Sequence, residues 1–215
     1  MKIGILGTGI VGNTIANKLV QRNHEVKMGS RTPKNEKAIQ WVAAAGSNAS
    51  HGTFKDAAEF GEVIFNCTKG DISVDALRLA GSIALTGKIL IDLANPLDFS
   101  NGMPPSLFIS NTDSLGEAIQ REFPETSVVK TLNTMNCNLM VDSSLVKGDH
   151  DVFISGNDAA AKATVAKILS EDFGWKNILD LGDITGARST EMLLPIWLRL
   201  YGKFGNSNFN FHITK

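Results

Sequence analysis

Cysteine is nearly absent: Cys67 and Cys137 are the only two in 215 residues and share no CxxC spacing. Neither a disulfide framework nor a zinc site can be built from them, and a reducing, cytoplasmic compartment is the simplest expectation. Histidine is also scarce, with His24, His51, His150 and His212 forming no pair at metal-ligand spacing. His24 and His150 lie in polar turns and read as surface residues. An excess of charge is missing too. The 21 Lys and Arg balance 22 Asp and Glu for a net charge of −1, which excludes the basic footprint of a nucleic-acid binder. No apolar run approaches the roughly 18 residues of a membrane helix, and the chain opens into a strand instead of a signal peptide. There is no GxSxG, no HExxH, no internal repeat and no low-complexity segment.

What remains is an alternation of strand and helix patterns. KIGIL (2–6) is a β-rich run that ends in Gly7-Thr8-Gly9-Ile10-Val11-Gly12, and Ile15, Ala16, Leu19 and Val20 then repeat at helical spacing. Further strands are expected near 25–28, 47–51, 63–66, 89–92, 127–131, 152–155 and 177–181. Helices are expected over about 34–45, 71–84, 112–122 and 158–173, the last capped by Asn157 or Asp158. This order implies an α/β, Rossmann-like, doubly wound, mainly parallel sheet with helices on both faces. Residues 187–201 (ARSTEMLLPIWLRLY) predict an apolar helix kinked at Pro195, which together with the tail 202–215 packs back on the sheet. The division is a dinucleotide-binding domain over 1–181 and a small C-terminal helical lobe over 182–215.

The GxGxxG run is informative because it follows a strand and opens a helix. Gly7 permits the tight turn, Gly9 lets a pyrophosphate approach the backbone, and Gly12 lets the helix lie close to the strand. About twenty residues on, an acidic residue accepts hydrogen bonds from the ribose 2′-hydroxyl of NAD. Here the run is MGSRTPK (28–34), with no carboxylate. Ser30 offers a hydroxyl and Arg31 a guanidinium suited to a phosphate dianion, so the ligand expected is NADP(H). Lys34 is either a second phosphate contact or a solvated residue in the first turn of the next helix.

Ligands of open parallel sheets sit outside the strand carboxyl ends. That places Cys67, Thr68 and Lys69, then Asn95 and Pro96, then Asn133 beside the nicotinamide. Thr68, Asn95 and Asn133 either hydrogen-bond the cofactor or satisfy their own turns, as such side chains often do. Cys67 reads as a small buried apolar residue, not as a nucleophile. No catalytic residue and no metal ligand is identified. Hydride transfer between two rings needs aligned stacking more than an acid or base, so this absence fits such a reaction.

KIGILGTGIVG, MGSRTPK and WLRLYGKFGNSNFNFHI together resemble the F-420-dependent NADP oxidoreductase family, and the resemblance spans nearly the whole chain. A similar GSR element occurs in the cytosolic reductase domain of six-transmembrane metalloreductases. The resemblance implies a Rossmann-type domain, a small C-terminal lobe, dimers, and hydride exchange between NADPH and an 8-hydroxy-5-deazaflavin. It implies that Thr8, Ser30 and Arg31 hold the adenosine end, and that the Thr68, Asn95-Pro96 and Asn133 loops face the nicotinamide. At KTLNTMNCN (130–138) the chain departs from archaeal-type members, which leaves F-420, a flavin or another small molecule open as acceptor. Two other readings stand beside it: a redox sensor that binds NADP(H) without turnover, and an imine or hydroxyacid reductase, which needs a longer helical domain. Met192, Leu193, Ile196, Trp197, Leu200 and Tyr201 suggest either a doubly packed core helix or a surface that meets a second subunit or roofs the pocket.

Overall fold

The computed structural model describes all residues from Met1 to Lys215. In chain order the elements begin with β1 (Lys2–Leu6), α1 (Ile10–Gln21), β2 (Glu25–Ser30), α2 (Glu36–Ala45), β3 (Ala49–Thr53), α3 (Phe54–Phe60) and β4 (Val63–Asn66). A 3₁₀ turn at Gly70–Ile72 leads to α4 (Ser73–Ala80), α5 (Ser82–Leu85), β5 (Ile89–Asp92), and a small hairpin of β6 (Leu97–Asp98) and β7 (Ser106–Leu107). Then come α6 (Leu115–Glu122), β8 (Ser127–Thr131), α7 (Cys137–Val141), β9 (Asp151–Gly156), α8 (Ala159–Glu171), β10 (Asn177–Asp180), α9 (Gly186–Met192) and α10 (Leu194–Phe204).

Eight strands form one sheet in the order β10-β9-β8-β5-β4-β1-β2-β3. The order reverses between β1 and β4, the position at which doubly wound sheets open a ligand crevice at their carboxyl edge. Alternate strand residues serve opposite faces. Ile3, Ile5, Val63, Phe65, Ile91 and Val129 pack with α1, α2, α7 and α8. Leu6, Ile64, Leu90 and Val128 pack with α3, α4, α5, α6 and α9. Strands buried on both faces read as continuous apolar runs, which is why VIFN and ILID stand out in the sequence.

The sheet is mainly parallel, as expected, with one antiparallel pair where β9 meets β8; β10 follows β9 in parallel. Several element bounds are corrected. β2 runs on to Ser30, so Gly29 and Ser30 are strand residues, and α2 starts after Lys34 because Asn35 caps it by accepting from Ala38 N. The helix expected over 71–84 breaks at Gly81, whose φ of 91° a helix cannot hold. Pro195 does not kink one helix but stands in the first turn of a second one, where its missing N–H has no intrahelical partner to lose. That second helix is not doubly packed: Leu194 is its only buried residue.

His24 and His150 are half-buried and engaged, not free on the surface. His24 Nε2 lies 3.0 Å from Asp172 Oδ2. His150 Nε2 lies 2.9 Å from the Ser143 carbonyl, its Nδ1 meets Asn210 Nδ2 at 3.1 Å, and its ring stands edge-on to Trp175. The tail does return to the sheet: Asp151 N donates to the Phe211 carbonyl and Ile213 N to Asp151 Oδ2.

Candidate functional site

The glycine turn sits at the carboxyl end of β1, between β2 and β4. Gly7 N donates to the Gly29 carbonyl and Cys67 N to the Leu6 carbonyl, which ties the turn to both neighbours. Gly7 has φ 122°, and a Cβ there would lie 2.8 Å from the Cys67 carbonyl oxygen. A Cβ on Gly12 would lie 2.2 Å from the Gly7 carbonyl oxygen, so Gly12 is required by the close approach of α1 to the turn. Gly9 differs. A Cβ on it would meet nothing within 4 Å, so packing does not demand a glycine there. Asn35, Thr53, Ser114, Asn136 and Asp158 cap α2, α3, α6, α7 and α8 through their side chains, whereas α1, like α4, α5, α9 and α10, begins with no side-chain cap. Bare backbone amides, a positive helix end and open space are what a pyrophosphate needs. The turn therefore fits the dinucleotide that the sequence implies.

Ser30 and Arg31 close β2 beside this turn. Arg31 is exposed and makes no ion pair, as is Lys34. Ser30 is buried, and its hydroxyl donates to the Thr32 carbonyl at 2.6 Å, so the bond spent on its own turn competes with any ligand. A recess of about 490 Å³ between α1 and α2 is lined by Thr8, Gly9, Ile10, Asn13 and Lys37. Lys37, in the first turn of α2, was not singled out from the sequence; its closeness to Lys34 along the chain was the available signal.

The other expected residues fall in a row along the same edge, because β1, β4, β5 and β8 are neighbours. Thr68 donates its hydroxyl to Asn66 Oδ1 at 2.6 Å, and Asn66 Nδ2 donates to Asp92 Oδ1 at 2.8 Å. Asn95 Nδ2 donates to the Asn133 carbonyl at 2.8 Å, and Asn133 Nδ2 returns a bond to Asn95 Oδ1 at 2.9 Å. This reciprocal clasp joins the loops after β5 and β8. Beside it Leu132 stands at φ 61°, a left-handed conformation that costs a residue with a side chain about 1–2 kcal/mol. Burial, with the Asp92 carboxylate behind it, pushes the Cys67 thiol far up, so Cys67 is no thiolate nucleophile.

Thr68, Lys69 and Asn95 also line a cavity of about 1030 Å³ on the α4 and α6 side of the edge. Its far wall is the β6–β7 hairpin, with Phe99 and Phe108. Sequence reasoning missed that wall entirely. Cys67, Pro96 and Asn133 do not line the cavity. Ser30, Arg31 and Lys34 are two strands away. Under the edge, Lys130 bridges Asp92 and Glu191 at 2.8 Å each with all three side chains buried. No group of His, Cys, Asp and Glu has metal-site geometry, and no helix is long and apolar enough to cross a membrane.

The fold is a doubly wound α/β sheet with a glycine-rich turn at its switch point. The chain belongs to the F420-dependent NADP oxidoreductase family. The family model described as "NADP oxidoreductase coenzyme F420-dependent" matches residues 2–96. A crystal structure from Arthrobacter sp. FB24, described as a candidate F420-dependent NADP-reductase, is 53% identical, with a TM-score of 0.95 over 100% of both chains. Metalloreductase STEAP3 of Rattus norvegicus is 30% identical over 201 residues, 91% of this chain. This chain spans 38% of that relative's length. An imine reductase from Myxococcus stipitatus, solved with NADP+, shares the fold at 19% identity, with a TM-score of 0.65 over 95% of this chain and 64% of that one.

Proposed function

We propose that the chain moves a hydride between NADPH and a flavin-like or deazaflavin (F-420) ring. The observation that carries this reading is the open Gly9 turn at an uncapped helix start, set beside an unpaired Arg31 where a carboxylate would reject a 2′-phosphate. In this reading Gly7, Thr8, Gly9, Ile10, Val11 and Gly12 cradle the pyrophosphate. Ser30, Arg31 and Lys34 meet the 2′-phosphate, while Cys67, Thr68, Lys69, Asn95, Pro96 and Asn133 border the nicotinamide. The dinucleotide supplies the hydride. The chain binds it, orients it through the Asn95–Asn133 clasp and shields it with the apolar cavity wall. That cavity has no histidine, cysteine or tyrosine in its lining, as suits a transfer that needs alignment and no protein acid. Residues 1–181 form the binding domain and 182–215 its C-terminal closure. A cytoplasmic setting suits the two unpaired cysteines, and the exposed Met192, Ile196, Tyr201 and Phe204 suit a homodimer, which light scattering measures.

The test is NADPH oxidation with FMN, riboflavin, F-420 and a ferric chelate as acceptors. Acceptor-dependent turnover with an F-420 or flavin ring is expected. The absence of histidine, cysteine and tyrosine from the cavity lining also favours a second reading, a sensor that binds NADP(H) without turnover. NADPH binding with no turnover on any acceptor would replace the first reading by the second.

A further inference from the structure

The recess between α1 and α2 holds a chain of side-chain hydrogen bonds whose end is open. Trp41 Nε1 donates to Asn17 Oδ1 at 2.8 Å, and Asn17 Nδ2 donates to Asn13 Oδ1 at 2.9 Å. Chemistry sets the direction of this chain. An indole N–H can only donate, so the Asn17 oxygen must face Trp41, which is itself buried in the core. The Asn17 NH2 group then faces Asn13 and claims its oxygen. What Asn13 has left is its own NH2 group, which bonds nothing within the chain. Asn13 lines the recess one helical turn past Gly9, whose carbonyl accepts from Asn13 N.

The surroundings of that NH2 group favour an anion. Lys37 is the one charged residue in the lining, and no carboxylate neutralises it there. α2, which carries Lys37, follows directly on the segment of Arg31 and Lys34, so the recess lies on the adenosine side of the glycine turn. Ser30 has one hydroxyl hydrogen, and it goes to the Thr32 carbonyl at 2.6 Å. The Asn13 amide, in contrast, is unspent and already held in one orientation. A donor fixed before the ligand arrives loses little freedom on binding, and a bond from it to an ionised phosphate is stronger than a neutral one.

We propose that Asn13 donates to the 2′-phosphate of NADP(H), and that Asn17 and Trp41 are positioning residues that keep its NH2 group turned toward the recess. The proposal rests on the NADP(H) reading above and adds to it a neutral, oriented donor that works with Arg31. Lys37 supplies charge at this point, and Asn13 supplies direction.

The test is titration of the intact protein with NADPH and with NADH, followed by the nucleotide's own emission, for the wild type, Asn13→Ala, Asn17→Asp and the double variant. Asn13→Ala should weaken NADPH by roughly 10-fold, the lower end for a hydrogen bond to a charged group, and leave NADH as it was. Asn17→Asp keeps an acceptor for Trp41 but offers Asn13 an oxygen in place of an NH2 group. The Asn13 amide then turns over, its carbonyl faces the phosphate, and NADPH should weaken by at least as much while NADH does not. The new carboxylate also carries charge, and the double variant separates the two effects. An effect that passes through Asn13 leaves the double variant no weaker than the weaker single one, whereas bare charge repulsion makes the losses multiply. Both asparagines lie off the buried stripe of Gly12, Ile15, Ala16 and Leu19, so the substitutions spare the core. The proposal is overturned if Asn13→Ala keeps the preference for NADPH, if NADH weakens in step with NADPH, or if the two losses multiply. Failure of the wild type to bind NADPH would instead remove the dinucleotide reading.

Discussion

Lys130 Nζ lies 2.8 Å from Asp92 Oδ2, and solvent reaches neither side chain. Glu191 Oε1 lies at the same distance on the other side, and the Glu191 carboxylate also accepts from Leu115 N and Gly116 N at the start of α6. Burial opposes the charge on Lys130, but the two facing carboxylates outweigh it and hold the ammonium above its ordinary range. Through Asp92 the chain of bonds reaches Asn66 and Thr68, and Lys130 also donates to the Ala94 carbonyl. α9 and the loops after β4 and β5 are therefore held by one buried lysine.

Lys130→Met leaves two carboxylates buried without their cation. Breaking a buried pair in this way costs about 3–5 kcal/mol, whereas apolar replacement of a whole triad is often neutral. Urea unfolding is expected to show a loss of that size for Lys130→Met and substantial recovery in Lys130→Met/Asp92→Asn/Glu191→Gln. Equal stability of the wild type and the single variant would show that the triad carries no such strain.

Arg31→Ala removes the exposed guanidinium beside β2. A hydrogen bond to a charged group is worth about 1.5–3 kcal/mol, so NADPH affinity should fall by roughly 10- to 150-fold. NADH affinity should stay as it was. Parallel titration with both nucleotides measures the preference, and its survival in the variant would remove Arg31 from the phosphate site.

Gly9 and Gly12 should separate ligand space from packing. Gly9 has φ −77° and no neighbour where a methyl group would stand, so Gly9→Ala should fold with nearly wild-type stability and lose dinucleotide affinity. Gly12→Ala pushes a methyl to 2.2 Å from the Gly7 carbonyl oxygen and should lower the melting temperature. Calorimetry and NADPH titration on both variants give the comparison; tight NADPH binding by Gly9→Ala would place the phosphates elsewhere.

The Arg188 guanidinium, hydrogen-bonded to Glu117 at 2.7 Å, holds that carboxyl below its ordinary value of 4.5. A carboxyl depressed by folding contributes stability that is complete above its unfolded value and is lost as pH falls through the lower folded value. Wild type should therefore lose more stability than Glu117→Gln when pH drops below 4.5. Thermal melts across that window check the sign, and parallel curves for the two proteins would assign the acid sensitivity to other groups.

The sheet was legible wherever a strand is buried on both faces. VIFN and ILID are apolar runs bounded by turn residues, and burial on both sides leaves a sequence little choice. α3 escaped notice although Thr53 and Asp56 form a capping box that marks its start, because seven residues are too few to show a helical period. The reversed direction of β9 was not legible at all. Strand direction depends on which neighbour a strand meets, and hydrophobic pattern is the same for either direction.

At the candidate site, local chemistry was readable and distant pairing was not. The glycine turn and the missing carboxylate after β2 are contained in short stretches, since chain neighbours alone decide which backbone shapes and charges are present there. Asn95 and Asn133 were identifiable as edge residues, but their mutual clasp spans 38 positions and exists only because β5 and β8 lie side by side. The same holds for Phe99 and Phe108, whose hairpin looks like an ordinary loop until α4 and α6 close a cavity against it, and for the burial of Lys130. By itself the sequence determined which segments become the strands of the main sheet and where a glycine turn leaves bare amides, because those depend on near neighbours. Only the tertiary structure decided which side chains spend their hydrogen bonds on one another and which face open space, because that depends on strand order.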